Sequence, residues 1–378
     1  MRPRHTLAQA IGLHGESLLR HHPQQATVLR TLRAIMECRT SALGGHVDAC
    51  TDCGTVRMSY NSCRNRHCPQ CQGREREAWV QQRSEQLPGE GCFHVVFTLP
   101  AQLNALCIGH PKEMYDALFA AAWQTVTGMA RNPAHLGAQA GMIAVLHTWG
   151  QQLTLHPHVH CIIPDGGVSL RGRWKSARGK GRYLFPVKAM ASMFRAKFMA
   201  QITNVVPMDA AVRKQLFAQS WVVFAKAPMG NTRQIVEYLG RYTHRTAISN
   251  HRLVAVDNQN VTFQYKDYRQ EGKSSLLTLT GVEFLRRFCL HILPKGYRRI
   301  RHYGILSNRT KHIFLHLEKK PALGGSSSLG KQGQEELRHK VCPCCGTPTM
   351  VTVQLIAPLR GPPSTLAIQT IGHYASTN

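Results

Sequence analysis

Apolar residues in the first 37 positions recur at helical spacing, most plainly over residues 26–36, where Val28, Leu29, Leu32 and Ile35 share one face. From Cys38 to Cys71 that pattern stops. Gly, Cys, His, Asn and Arg dominate there and aliphatic side chains are sparse, so the segment needs a metal in place of a core. Residues 75–86 predict a charged helix and 87–91 a boundary rich in Pro and Gly. A β-rich run at 93–99 stops at Pro100, and 113–130 has the apolar stripe of a helix. Strands at 142–149 and 153–164 lie close enough to pair as a hairpin around Gly150, Gln151 and Gln152. Helices are expected at 190–202, 232–242 and 281–293, a second hairpin at 253–256 and 261–265, and a basic strand at 295–303. Residues 321–333, rich in Gly, Ser and Lys, have linker composition, and no internal repeat stands out.

Charge narrows the class. The chain of 378 residues carries 47 Lys and Arg against 20 Asp and Glu, a formal net charge of +27, which calls for a polyanionic partner and most simply nucleic acid. Its apolar runs fall short of the roughly 18–20 residues that span a membrane, and no secretion leader opens it, so a cytoplasmic, nucleoid-associated protein is expected. Thirteen cysteines, an odd number that includes C-x-x-C pairs, fit metal binding in a reducing compartment better than disulfides. Membrane, secreted and small-molecule dehydrogenase functions are poor fits.

Four constellations can carry chemistry. Cys50-x-x-Cys53 and Cys68-x-x-Cys71 have the separation of two knuckles that place four thiolates around one structural Zn²⁺. Cys38, His46, Cys63 and His67 are left over, either as a second zinc set or as packing around the first. Arg64 and Arg66 sit beside the second knuckle, where they can face phosphates. On a strand, His156, His158 and His160 point to one face, and the hairpin can bring His147 alongside; such imidazoles can share a divalent ion. Tyr238 and Tyr242 are four apart on an expected helix, hence on one face. Alone they read as packing residues; beside a His-rich site in a basic chain, a phenolic nucleophile becomes an option. The fourth, Cys342-Pro-Cys-Cys345, is a single knuckle, either half a zinc site completed by distant residues or an orphan. Further basic candidates for DNA are Arg171, Arg173, Lys175, Arg178, Lys180 and Arg182 in a Gly-rich stretch, and Lys295, Arg298, Arg299 and Arg301.

Taken together, the run from Leu43 to His46, the knuckles flanking Asn61–Arg66, the His156-Pro-His-Val-His160 strand, the Tyr238-x-x-x-Tyr242 pair with Thr243, His244 and Arg245, and the segment from Lys295 to Gly304 resemble rolling-circle insertion-sequence transposases of the HUH two-tyrosine class (IS-ninety-one type). The likeness covers about residues 30–310. It implies an α+β fold: an HUH-nuclease-like antiparallel sheet with flanking helices, plus an N-terminal helical, zinc-ribbon-like module. The implied domains are a zinc-binding one at 1–90, a catalytic one with its tyrosine helix at 91–270, a basic extension at 271–320, and a linker and tail at 321–378. It further implies His158 and His160 as the metal pair, His147 as a third ligand, Mg²⁺ or Mn²⁺ as the catalytic ion, and Tyr238 and Tyr242 as nucleophiles that nick and rejoin single-stranded DNA through a 5′-phosphotyrosine. Three other functions stay open: a zinc-ribbon DNA-binding regulator without cleavage, a zinc hydrolase built on the His cluster, and a plasmid relaxase or replication initiator with the same chemistry. Oligomeric state is not legible.

Overall fold

The computed structural model describes residues 3–71, 91–177, 184–203, 205–226, 240, 246–310 and 341–359. The expected helix at 75–86, that at 232–242 apart from Gly240, and the linker at 321–333 lie outside them. The fold is α+β, and every strand pairing among the described residues is antiparallel.

The largest core is built on a five-stranded sheet. Its members are β3 (Cys92–Thr98), β4 (Gly141–Trp149), β5 (Leu155–Pro164), β8 (Val223–Lys226) and β12 (Ile300–Gly304), in the order β12-β4-β5-β3-β8. Every residue of β4 is buried, which is why residues 142–146 run as continuous apolar residues instead of alternating, before His147 and Thr148. One face of the sheet, with Phe93, Val95, Phe97, Leu146 and Val159, packs on helices α4 (Pro111–Arg131) and α5 (Val187–Ile202). Phe97 and Phe194 meet there with ring centroids 5.0 Å apart. Since side chains alternate along a strand, the histidines of β4 and β5 emerge on the opposite face. The basic strand expected at 295–303 forms only from Ile300 onward. Pro294 and Gly296, the latter at φ +75°, hold the preceding residues in a turn closed by Tyr297 N–H on the Pro294 carbonyl.

A second core joins parts of the chain that the sequence separates. Helices α1 (Leu7–His21) and α2 (Ala26–Met36) pack with a three-stranded sheet of β9 (Leu253–Val256), β10 (Asn260–Asp267) and β11 (Lys273–Thr280), and with α7 (Gly281–Cys289). Thr6 caps α1 by accepting from Gln9 N–H, while Asn250 accepts from Leu7 N–H, tying the helix start to the turn before β9. Thr280 caps α7, and Glu283 binds both Arg286 and Arg287 one turn on. The small helices α3 (Asn104–Gly109) and α6 (Ala210–Ala218) and a β6 (Gly166–Val168)–β7 (Trp174–Ser176) hairpin complete the body.

A third sheet was not expected. Strand β1 (Gly45–Cys50) lies between β2 (Val56–Tyr60) and β13 (Met350–Ile356), so the segment taken as a tail adds a strand to the N-terminal module.

The α1–α7 contact is close. A methyl group on Gly281 would run into the ring of His14, itself buried. Gly281→Ala should therefore cost about 1–3 kcal/mol by overpacking, read as a lowered denaturant midpoint. An unchanged midpoint would mean that α1 does not sit on α7.

Candidate functional site

His147 on β4 lies directly opposite His158 on β5, and His160 follows two residues on, so three imidazoles meet on one face of adjacent strands. Their candidate ligand nitrogens all lie within 4.8 Å of one another. His156 shares the strand but is exposed and outside this group. The protonation pattern follows from the partners. His158 Nδ1 is 2.6 Å from the His156 carbonyl, which can only accept, so Nδ1 carries the proton and Nε2 is left with a lone pair. That Nε2 faces His160 Nε2 at 3.2 Å. Two nitrogens bound to one ion about 2.1 Å away would stand about 3.0–3.4 Å apart, for right-angle or tetrahedral coordination, so the pair's spacing fits a shared divalent ion.

Two neighbours hold this triad, and the sequence reading missed both. His94 on β3 places Nε2 2.9 Å from His160 Nδ1 and stacks on the ring at 5.1 Å. Burial, then the charge of Lys226, lowers the His94 pKa to about 4, so His94 stays neutral and can accept the His160 Nδ1 proton. Its signal was a lone imidazole inside the apolar run of 92–97. Trp149 stacks on His147 with centroids 4.6 Å apart.

The cysteines group differently from the expected Cys50, Cys53, Cys68 and Cys71 set. Cys68 and Cys71 converge with Cys38 and Cys63, whereas Cys50 and Cys53 converge with Cys342 and Cys345. The reason is strand length. The first knuckle is the tip of the β1–β2 hairpin and Cys63–Cys71 follow its base, so about 17 Å of strand at 3.4 Å per residue separates them. The leftover zinc set of Cys38, His46, Cys63 and His67 fails too. His46 pairs with Asp48 at 3.4 Å, and His67 is buried near Arg66, Arg299 and His291, outside the thiol group. Burial first, and then the charges of Arg66 and Arg299, push the His67 pKa down to about 3.

Around the first cluster, Cys38 Sγ and Cys63 Sγ stand 3.4 and 3.5 Å from Cys71 Sγ. A tetrahedral ion with bonds of about 2.3 Å has sulfur–sulfur edges of about 3.8 Å, so the thiols fit zinc. Hydrogen bonds from Cys38, Cys63 and Cys68 pull the Cys71 thiol far below its usual range.

A family profile described as "Transposase zinc-binding domain" matches residues 10–99, and one described as "Putative transposase" matches 141–312. A Sinorhizobium fredii protein named "Putative transposase y4qJ" is 38% identical over 93% of this chain and 95% of its own length. The "Transposase for insertion sequence element IS801" of Pseudomonas savastanoi pv. phaseolicola is 30% identical over 74% of this chain and 70% of its own. The chain belongs to the IS91-type transposases. No solved structure matches it. Membership brings DNA as the partner and DNA cleavage as the class of activity, and it makes zinc the metal of the N-terminal thiols.

For an IS91-type transposase, the arginines need sorting. Arg64, Arg171, Arg173, Lys295 and Arg298 are exposed, and Lys175 is half-buried. Three others have work inside the fold. Arg66 donates to the carbonyls of Pro294 and Tyr297, Arg299 is 7% exposed, and Arg301 binds Asp116 and lies over the Phe119 ring. These depart from the expected phosphate contacts: Arg66 and Arg301 are engaged with acceptors inside the protein and Arg299 is buried. Arg178, Lys180 and Arg182 lie outside the described residues, as do Tyr238 and Tyr242. Among the described residues no helix is long and apolar enough to cross a membrane.

Replacing Cys68 with Ser should remove one zinc equivalent per chain and lower the melting temperature, because the binding energy of a structural zinc is folding energy. Elemental analysis with thermal denaturation checks it. Full zinc retention in the Cys38, Cys63, Cys68, Cys71 quadruple Ser variant would defeat the assignment.

Proposed function

We propose that the chain nicks and rejoins single-stranded DNA through a 5′-phosphotyrosine, the chemistry of rolling-circle transposition. The observation that carries the reading is the convergence of His147, His158 and His160 with a lone pair of His158 held toward the group. These three would hold Mg²⁺ or Mn²⁺, which when bound supplies charge neutralisation at the scissile phosphate. His94 Nε2 accepts a hydrogen bond from His160 Nδ1–H, which keeps the proton on Nδ1 and leaves Nε2 with its lone pair; the His156 carbonyl does the same for His158. Trp149 fixes the plane of His147.

Tyr238 and Tyr242 are the proposed nucleophiles. A phenolate attacks phosphorus, the bond to the 3′ oxygen breaks, and that oxygen leaves as a 3′-OH after taking up a proton. The phosphotyrosine conserves the bond energy, so attack by a 3′-OH reverses the step and rejoins the strand without ATP. Two tyrosines let one strand stay held while a second is cut. A single strand is the favoured substrate because its phosphate can reach a recessed site, and the exposed arginines can follow its backbone. A protein of this kind works at the nucleoid in the cytoplasm.

Incubation with labelled single-stranded DNA and Mn²⁺, resolved on a denaturing gel, tests the reading. Tyr238→Phe and Tyr242→Phe should each leave some covalent adduct, and the double variant none. DNA binding with no adduct in the unaltered protein would point instead to a regulator.

His94 gives a separate test. His94→Ala should raise the Mn²⁺ concentration for half-maximal cleavage about 10–100-fold, and His94→Gln, whose amide oxygen can accept the same proton, should recover part of it. An unchanged Mn²⁺ dependence in the Ala variant would rule out this positioning role.

A further inference from the structure

The second thiol group draws on residues 295 apart in sequence, and part of it lies outside both matched family segments. Its two halves are conformational twins. Cys50-Thr-Asp-Cys53-Gly54-Thr55 and Cys342-Pro-Cys-Cys345-Gly346-Thr347 share the pattern Cys-x-x-Cys-Gly-Thr. In each, the glycine N–H bonds the first cysteine's carbonyl at 3.0 Å, and that cysteine's N–H bonds the threonine carbonyl, at 2.9 and 2.7 Å. Both glycines take positive φ, +69° and +75°, which a side chain would resist. Each threonine hydroxyl lies 3.1 or 3.0 Å from the second cysteine's sulfur. A strand follows each knuckle, β2 after the first and β13 after the second, and both pair with β1.

The sulfurs cross-match: Cys50 with Cys345 and Cys53 with Cys342, each at 3.6 Å. That separation is far beyond a disulfide's roughly 2.05 Å and close to the edge of a tetrahedral zinc site of about 3.8 Å. Around the group, the Thr349 hydroxyl lies 3.1 Å from Cys50 Sγ and 2.8 Å from the Thr347 hydroxyl, so hydroxyls line both pairs of thiols and can donate to them.

We propose that Cys50, Cys53, Cys342 and Cys345 hold a second zinc ion, forming a zinc ribbon that clasps residues 341–359 onto the N-terminal module. The clasp has a structural consequence. With β13 in place, β1 is a central strand, its Asp48 is 2% exposed, and Asp48 accepts from the Thr352 hydroxyl at 2.7 Å. Without it β1 is a bare edge with an unpaired backbone. The ion also ties together residues that flank the whole catalytic sheet in sequence, removing conformational freedom from the unfolded chain. The proposal is independent of the tyrosine chemistry.

Cys344 supplies an internal control, because it is exposed, sits between two of the ligands and is outside the group. The full-length protein, loaded with zinc under reductant, is treated with iodoacetamide, and each cysteine's modification is followed by mass spectrometry. Cys344 should be alkylated at once. Cys53 and Cys345, equally exposed in the fold, should resist until a chelator is added. Elemental analysis should find two zinc ions per chain, falling to one in Cys342→Ser and staying at two in Cys344→Ser. Alkylation of Cys345 as fast as Cys344 before chelation would overturn the proposal, and so would a single zinc in the unaltered protein. The alkylation result stands even if Cys342→Ser fails to fold.

Discussion

The tip of the β4–β5 hairpin is the constraint on which the site depends. Its stem carries the three histidines, and its tip is plugged into the other core, where Trp149 and Leu153 pack with α1, α2 and α7. Leu153 is fully buried at φ +58°, a conformation that costs a non-glycine residue on the order of 1–3 kcal/mol and persists only when its surroundings hold it. Those surroundings are on hand. Arg252 donates to the Gln151 carbonyl, Arg287 to the Gln152 carbonyl at 3.2 Å, and His291 Nε2 lies 3.1 Å from the Leu153 carbonyl. Three side chains, from the turn before β9, from α7 and from just beyond its end, therefore set the turn that sets the register of His147 against His158.

The zinc-bearing segment belongs to the same arrangement. Residues 38–71 lack the aliphatic surface to fold alone, and their thiols supply the missing cohesion. Cys38, Cys68 and Cys71 then sit in the core that holds Trp149, whose indole stacks on His147. A second link runs through Arg66, which grips the 294–297 turn, and through Arg299, whose carbonyl accepts from Leu146 N–H next to His147. The N-terminal module is thus a support for the strand that carries His147 as well as a zinc-binding unit. Within that support some of the chain's positive charge is withdrawn from the surface: Arg299 is buried and Arg301 is paired with Asp116.

Much of this was legible residue by residue. The α2 helix, the alternation that puts His158 and His160 on one face, the hairpin bringing His147 to them, and the metal-dependence of the cysteine segment all follow from periods of 3.6 and 2 and from local composition. Those properties live within a few residues of backbone, so a linear pattern records them. The tyrosine pair has the spacing of one helical turn, and nothing more local adds to it.

What the linear pattern could not record was which groups meet. Knuckle spacing pairs Cys50 and Cys53 with their nearest neighbours in sequence, but a hairpin of five or six residues per strand carries them too far away, and the distant Cys342 and Cys345 close the group instead. The repeated Cys-x-x-Cys-Gly-Thr was a readable sign of that kinship; the pairing of β13 with β1 was not, because a ladder's register depends on both strands at once. His94 and the buried arginines belong to the same class. Their roles are fixed by distances of about 3 Å across neighbouring elements, and such distances exist only once the sheet and its two cores have closed.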